Sequence, residues 1–203
     1  KYFDTTAAVA AAVFFAITSI SNTVRATANA ENFVLPFAII GIFLLMKYID
    51  SRKIFLLVLS GLSLGTGFMM KQHGAAFILF GAIYILYNGL WTERTLSKRL
   101  IGEMVLYSSC AVLPFLGTCL ILWRCGVFEK FWFWTFDYAR HYVVLTPLED
   151  GFANFRNALV PIVMSGILIW LAALAGFLIV IVKKQFGRHR FLVIAFTLCS
   201  FLA

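Results

Sequence analysis

Apolar residues run in long blocks along this chain, and charges fall almost only between them. Charge-free stretches cover 5–24, 32–46, 54–70, 72–92, 104–123, 157–182 and 191–203. Most approach the roughly 20 residues an α-helix needs to cross about 30 Å of hydrocarbon. In lipid every backbone N–H and C=O must be paired within the segment, so such runs are read as helices. The pattern predicts an all-α, polytopic transmembrane bundle of about seven helices, near 5–24, 32–49, 54–70, 74–91, 104–123, 159–182 and 191–203. The block at 32–46 is short, but Lys47 can snorkel, and Tyr48 and Ile49 extend it. Residues 124–158 read as a long extracytoplasmic loop carrying an interfacial aromatic helix.

Lys and Arg set the expected orientation. The starting side holds Lys1, then Lys47, Arg52 and Lys53, then Arg94, Lys98 and Arg99, then Lys183, Lys184, Arg188 and Arg190. The other side holds Arg25, Lys71, Arg124, Lys130, Arg140 and Arg156, mostly in the one long connection, whose charges carry little weight. Short connections dense in positive charge stay in the cytoplasm, so the Lys71 side is expected to face outward. Composition agrees: 62% of residues are hydrophobic and 13% charged. Soluble domains carry roughly 25% charged residues, so a soluble globular domain is excluded. The net charge of +8 would suggest nucleic acid in a soluble protein. Here the basic connections account for it, and no nucleic-acid partner is expected.

Cys110, Cys119, Cys125 and Cys199 form no CxxC and have no His at metal spacing, so they read as small packing residues. Gly61 to Gly65 is a GxxxG, where two helices can approach closely. Pro36, Pro114 and Pro161 sit inside predicted helices as kink candidates. No P-loop, HExxH or nucleophile elbow occurs. The chain starts at Lys1 without Met and ends at Ala203 inside an apolar run. It reads as an internal piece of a longer, multi-pass membrane protein.

Three polar groups gather on the outward side. The first runs from Arg25 to Asn32, where Asn29 or Asn32 can cap the second helix and Glu31 sits at its positive end. It reads either as a dipole-matched cap or as an acid facing a polar cavity. The second is Lys71, Gln72 and His73, in the tight turn after the third helix. It is either an interfacial turn with a snorkelling lysine or a point charge for a lipid phosphate. The third is the stretch from Phe128 to Tyr142, whose eight aromatic residues suit headgroup level. On a helix Asp137 and His141 share a face with Arg140 beside them. That reads either as an aromatic belt with a charged edge or as a lid contributing Arg140, with Asp137 or His141.

The run from Ser60 to Gln72, SGLSLGTGFMMKQ, resembles the glycine-rich signature closing on Lys-Gln of bacterial GT-C membrane glycosyltransferases. These are relatives of the dolichyl-phosphate-mannose–protein mannosyltransferases and of the lipid A aminoarabinose transferase. Thr27 to Phe37, TANAENFVLPF, looks like the outward turn ahead of that family's fourth helix. The resemblance covers about Thr5 to Leu90. It implies a site on the extracytoplasmic face, a polyprenyl-phosphate sugar as donor, membrane lipids around it, and inverting transfer to an acceptor. Carried over by matching position, Glu31 is a secondary active-site acid and Lys71 a donor-phosphate contact, with Gln72 and His73 as neighbours. Arg25 and Arg140 are further cations for the bound anion. Some members use a divalent metal and others do not. The family's principal acid lies in an earlier outward loop, so the base is expected upstream of residue 1 and this stretch alone is expected to be inactive. The competing expectation is a multi-pass transporter or flippase, which calls for charges at the membrane midplane.

Overall fold

The computed structural model describes residues 4–20, 30–93, 97–144, 148–183 and 187–202. Its regular elements are helical: α1 Thr5–Ile20, α2 Ala30–Ser51, α3 Ile54–Met70, a 3-10 turn Gln72–Gly74, α4 Ala75–Glu93, α5 Lys98–Arg124, α6 Phe128–Trp132, a π-turn Phe133–Asp137, α7 Tyr138–Val144, α8 Leu148–Ser165, α9 Ile167–Val182 and α10 Gly187–Leu202. By length and apolarity, Asn32–Ser51, Gln72–Trp91 and Lys98–Arg124 each suffice to cross a membrane, and Asp150–Ser165 with Ile167–Val182 passes the same test only when the bent pair is taken together, as a broken span or a re-entrant loop. Thr5–Ala16, Ile54–Met70 and Arg190–Ser200 are shorter apolar helices. The protein is an all-α, integral-membrane helical bundle.

The chain divides into two compact units, Lys1–Ala28 with Trp132–Gln185, and Asn29–Phe131 with Phe186–Ala203. The second is the better packed. There α3 lies between α2 and α5, while α4 packs on α5 and α10. Its core is Leu45, Tyr48, Leu57, Leu64, Phe80, Ile85, Leu100 and Tyr107, each almost fully buried.

The GxxxG explains why α5 comes so close to α3. A Cβ at Gly61 would stand 2.8 Å from both the Cys110 Cβ and the Tyr107 carbonyl. One at Gly65 would run into the Ala111 carbonyl. The opposite side of α3 is fastened to α2 by hydroxyls: Ser60 donates to the Gly41 carbonyl at 2.7 Å and Ser63 to the Phe37 carbonyl at 2.8 Å. In an apolar medium packing and such bonds replace the hydrophobic effect between helices.

The observed helices depart from the predicted runs in several places, and the run predicted as one helix at 159–182 is divided between α8 and α9. Helix α5 begins at Lys98 rather than 104, because Ser97 caps it by accepting the Leu100 N–H at 3.1 Å and Arg99 pairs with Glu103 one turn on. Charge placement marks where hydrocarbon ends, not where the helix ends. The connection 124–158, expected as a loop with one interfacial helix, is helical over most of its described length. Gly126, at φ 70°, closes α5, with the Val127 N–H bonding back to Leu122 at 3.0 Å. In the first unit α8 and α9 bend by 96°. Gly166, at φ −137° and ψ 36°, leaves the helical region there. Its carbonyl accepts the Ile169 and Trp170 N–H groups that restart the helix.

Candidate functional site

Lys71 ends α3. Its backbone is extended at φ −158°, and the next three residues make a single 3-10 turn into α4. Gly74 permits this tight reversal, since a Cβ there would stand 2.8 Å from the Phe68 backbone. The turn therefore presents Lys71, Gln72 and His73 together, Lys71 half-buried and the other two exposed.

Helices α2 and α3 run antiparallel, and their register fixes what lies beside this turn. Gly67 packs on α2: its Cβ position is 3.3 Å from the Phe37 Cβ and 3.7 Å from the Val34 carbonyl. One turn beyond Gly67 is Lys71, and one turn before Val34 is Glu31, in the first turn of α2. The backbones of Glu31 and Lys71 thus share one end of the helix pair. That end brings together the lysine, the positive pole of α2 and the acid in its first turn. Arg25 lies outside the described residues. Arg140 belongs to the other unit.

In that unit, Phe133, Asp137, Arg140 and His141 line one concavity of about 560 Å³. They occupy one face across the π-turn and α7. The Trp132 and Phe136 rings lie 4.6 Å apart between centroids and are tilted by 39°, and those of Trp134 and Tyr138 lie 5.3 Å apart and are tilted by 52°. Trp132, Phe133, Trp134 and Tyr138 are exposed, as interfacial rings are. Among the described residues no three of His, Cys, Asp and Glu converge on a metal position.

Sequence reasoning missed a second polar cluster, at the opposite end of the same bundle. Glu103, only 6% exposed, accepts from Arg99 Nε at 2.9 Å and Arg52 Nη1 at 3.5 Å. The i,i+4 spacing of Arg99 and Glu103 was its one visible signal. Arg52 lies 51 residues away in the chain and reaches Glu103 only through tertiary packing.

Antiparallel apolar helices, a glycine-mediated α3–α5 contact and polar residues placed at the helix ends define a polytopic membrane protein. The family model for dolichyl-phosphate-mannose-protein mannosyltransferases matches residues 1–118, from the chain's start into α5. The chain belongs to that family, and it is a membrane glycosyltransferase of GT-C type. Searches of curated proteins and of solved structures gave no match.

Proposed function

We propose that this chain holds the donor phosphate of a transferase that moves a sugar from a polyprenyl-phosphate carrier to an acceptor on the extracytoplasmic side. The observation that carries the reading is the common location of the Lys71 turn and the start of α2 at Glu31. In the reaction the acceptor oxygen forms the new bond to the anomeric carbon while the carbon–phosphate oxygen bond breaks. Polyprenyl phosphate leaves, and the acceptor proton passes to a carboxylate. Negative charge grows on the departing phosphate. An ammonium held at the membrane boundary stabilises it more than it would in bulk water. Lys71 takes that role, Gln72 and His73 supply further hydrogen-bond donors, and Glu31 orients a hydroxyl. Arg25 and Arg140 stand as further cations by sequence position alone.

The distribution of charge supports transfer over transport. Helix α3 carries no charged residue, nor does α4 before Glu93. The buried polar side chains Ser60 and Asn88 are spent on backbone carbonyls. The polar groups of this unit therefore gather at the helix ends.

The test is transfer by the full-length protein from a radiolabelled polyprenyl-phosphate sugar. Lys71→Ala is expected to lower kcat/KM on the order of 100-fold, the scale of losing one charge-stabilising donor. Glu31→Gln is expected to lower it about tenfold or more, within the range for a positioned acid or base. Unchanged transfer by both variants removes the assignment.

A further inference from the structure

The end of the bundle away from Lys71 gathers an excess of positive charge. Residues 47–53 and 97–103 together carry Lys47, Arg52, Lys53, Lys98 and Arg99 against Asp50 and Glu103. Packing of α2, α3 and α5 brings these segments together, as the Arg52–Glu103 pair demonstrates. The buried Glu103 carboxylate is a fixed post, with one guanidinium on each oxygen. A guanidinium has five N–H donors, and these contacts use one from each arginine. The arginine side chains are 30% and 57% exposed, so both reach the surface.

Three observations suggest more than an internal ion pair. Arg52 sits at φ 56°, in the left-handed region that glycine or asparagine occupies more cheaply. A long cationic side chain stands there despite that cost, and its guanidinium lies against Glu103 and 6.0 Å from the Tyr48 ring centroid. Tyr48 is fully buried beside that pair, so its ring backs the cluster from the interior of the bundle. Finally, the start of α5 adds backbone donors. Ser97 accepts the Leu100 and Ile101 N–H groups, which leaves those of Lys98 and Arg99 at the helix's positive end without an intrahelical acceptor.

We propose that Arg52, Arg99 and the first turn of α5 form a binding site for the phosphodiester headgroup of an anionic membrane lipid. The occupant is a lipid because the site lies at the ends of α2 and α5, each a candidate membrane span, so its level is that of headgroups. Lys53 and Lys98, both exposed, add long-range attraction without needing fixed geometry. Glu103 positions the two guanidiniums rather than touching the lipid. The inference stands apart from the proposed sugar transfer, which uses the opposite end of the bundle.

The test is native mass spectrometry of the full-length protein in detergent, titrated with phosphatidylglycerol or phosphatidylcholine. The wild type is expected to retain phosphatidylglycerol preferentially. Arg99→Gln should weaken that retention about fivefold, the effect of one cation near a membrane surface. Arg52→Gln leaves Glu103 with one partner and risks misfolding. The companion Arg52→Gln, Arg99→Gln, Glu103→Gln therefore removes all three charges together. It should fold with wild-type helicity by circular dichroism and lose the preference altogether. Equal retention of both lipids by the wild type overturns the proposal, as does an undiminished preference in the triple variant. Displacement of the lipid by millimolar inorganic phosphate would identify a free-anion site and would overturn it too.

Discussion

Gly65 shows how much one missing atom decides. Its Cβ position is taken by the carbonyl of Ala111, which belongs to a helix backbone and cannot swing aside. Gly65→Val should therefore force α3 and α5 apart and cost about 1–3 kcal/mol or more, as overpacked interfaces do. Gly117→Ala is the control, because nothing lies within 4 Å of that position. It should leave stability unchanged or slightly raised. Reversible unfolding in mixed micelles separates the two. The motif was legible as a small-residue pair from its spacing, but its partner was not, since nothing local distinguishes α5 from other apolar helices. Lys71 and Gln72 were legible because they interrupt an apolar run and close the stretch that resembles the family's glycine-rich signature. Glu103 was not, because an acid beside Lys98 and Arg99 looks like any charged flank.

At the scale of elements, a few hydroxyls hold apolar surfaces in register. Ser60 and Ser63 tie α3 to α2, and the Tyr107 hydroxyl donates to the Ile78 carbonyl at 3.0 Å, tying α5 to α4. Each such bond in a membrane averages about 0.6 kcal/mol. Ser60→Ala with Ser63→Ala is thus expected to cost about 1 kcal/mol, while Tyr107→Phe should cost about half that. The same unfolding measurement checks both, and a loss of several kcal/mol from the serine pair would mean that the hydroxyls also hold the helix geometry. None of the three proline candidates marks a helix break, and α2 runs on across Pro36 from Ala30 to Ser51. Pro161 lies inside α8, yet the 96° break falls at Gly166, whose backbone leaves the helical region. Helix α5 runs unbroken across Pro114 from Lys98 to Arg124.

For the whole molecule the asymmetry of charge matters most. In the second unit Lys71 and Gln72 lie at one end of the antiparallel helices, while Lys53, Lys98 and Arg99 lie at the other. With Cys110, Cys119, Cys125 and Cys199 replaced by Ala, a single cysteine can report each end. Gln72→Cys should react with a membrane-impermeant thiol reagent applied from outside. Lys98→Cys should react only after permeabilisation, in line with the rule that basic connections stay in the cytoplasm. Labelling of both from one side would contradict the antiparallel register. The reverse pattern would move the proposed transfer site to the cytoplasmic face.

The helical class, the approximate runs, the basic asymmetry and the Lys-Gln signature were all determined by the sequence alone. Lipid makes this so: a spanning segment must satisfy its own backbone, and a charge marks where hydrocarbon stops, so both constraints are written locally. Only tertiary structure decided that α5 is the partner of the glycine pair, that α5 begins six residues before its apolar run, and that Arg52, Arg99 and Glu103 meet. These depend on which helices pack and in what register. In a medium as apolar as the side chains themselves, that choice rests on shape and on a few hydrogen bonds between residues distant in the chain.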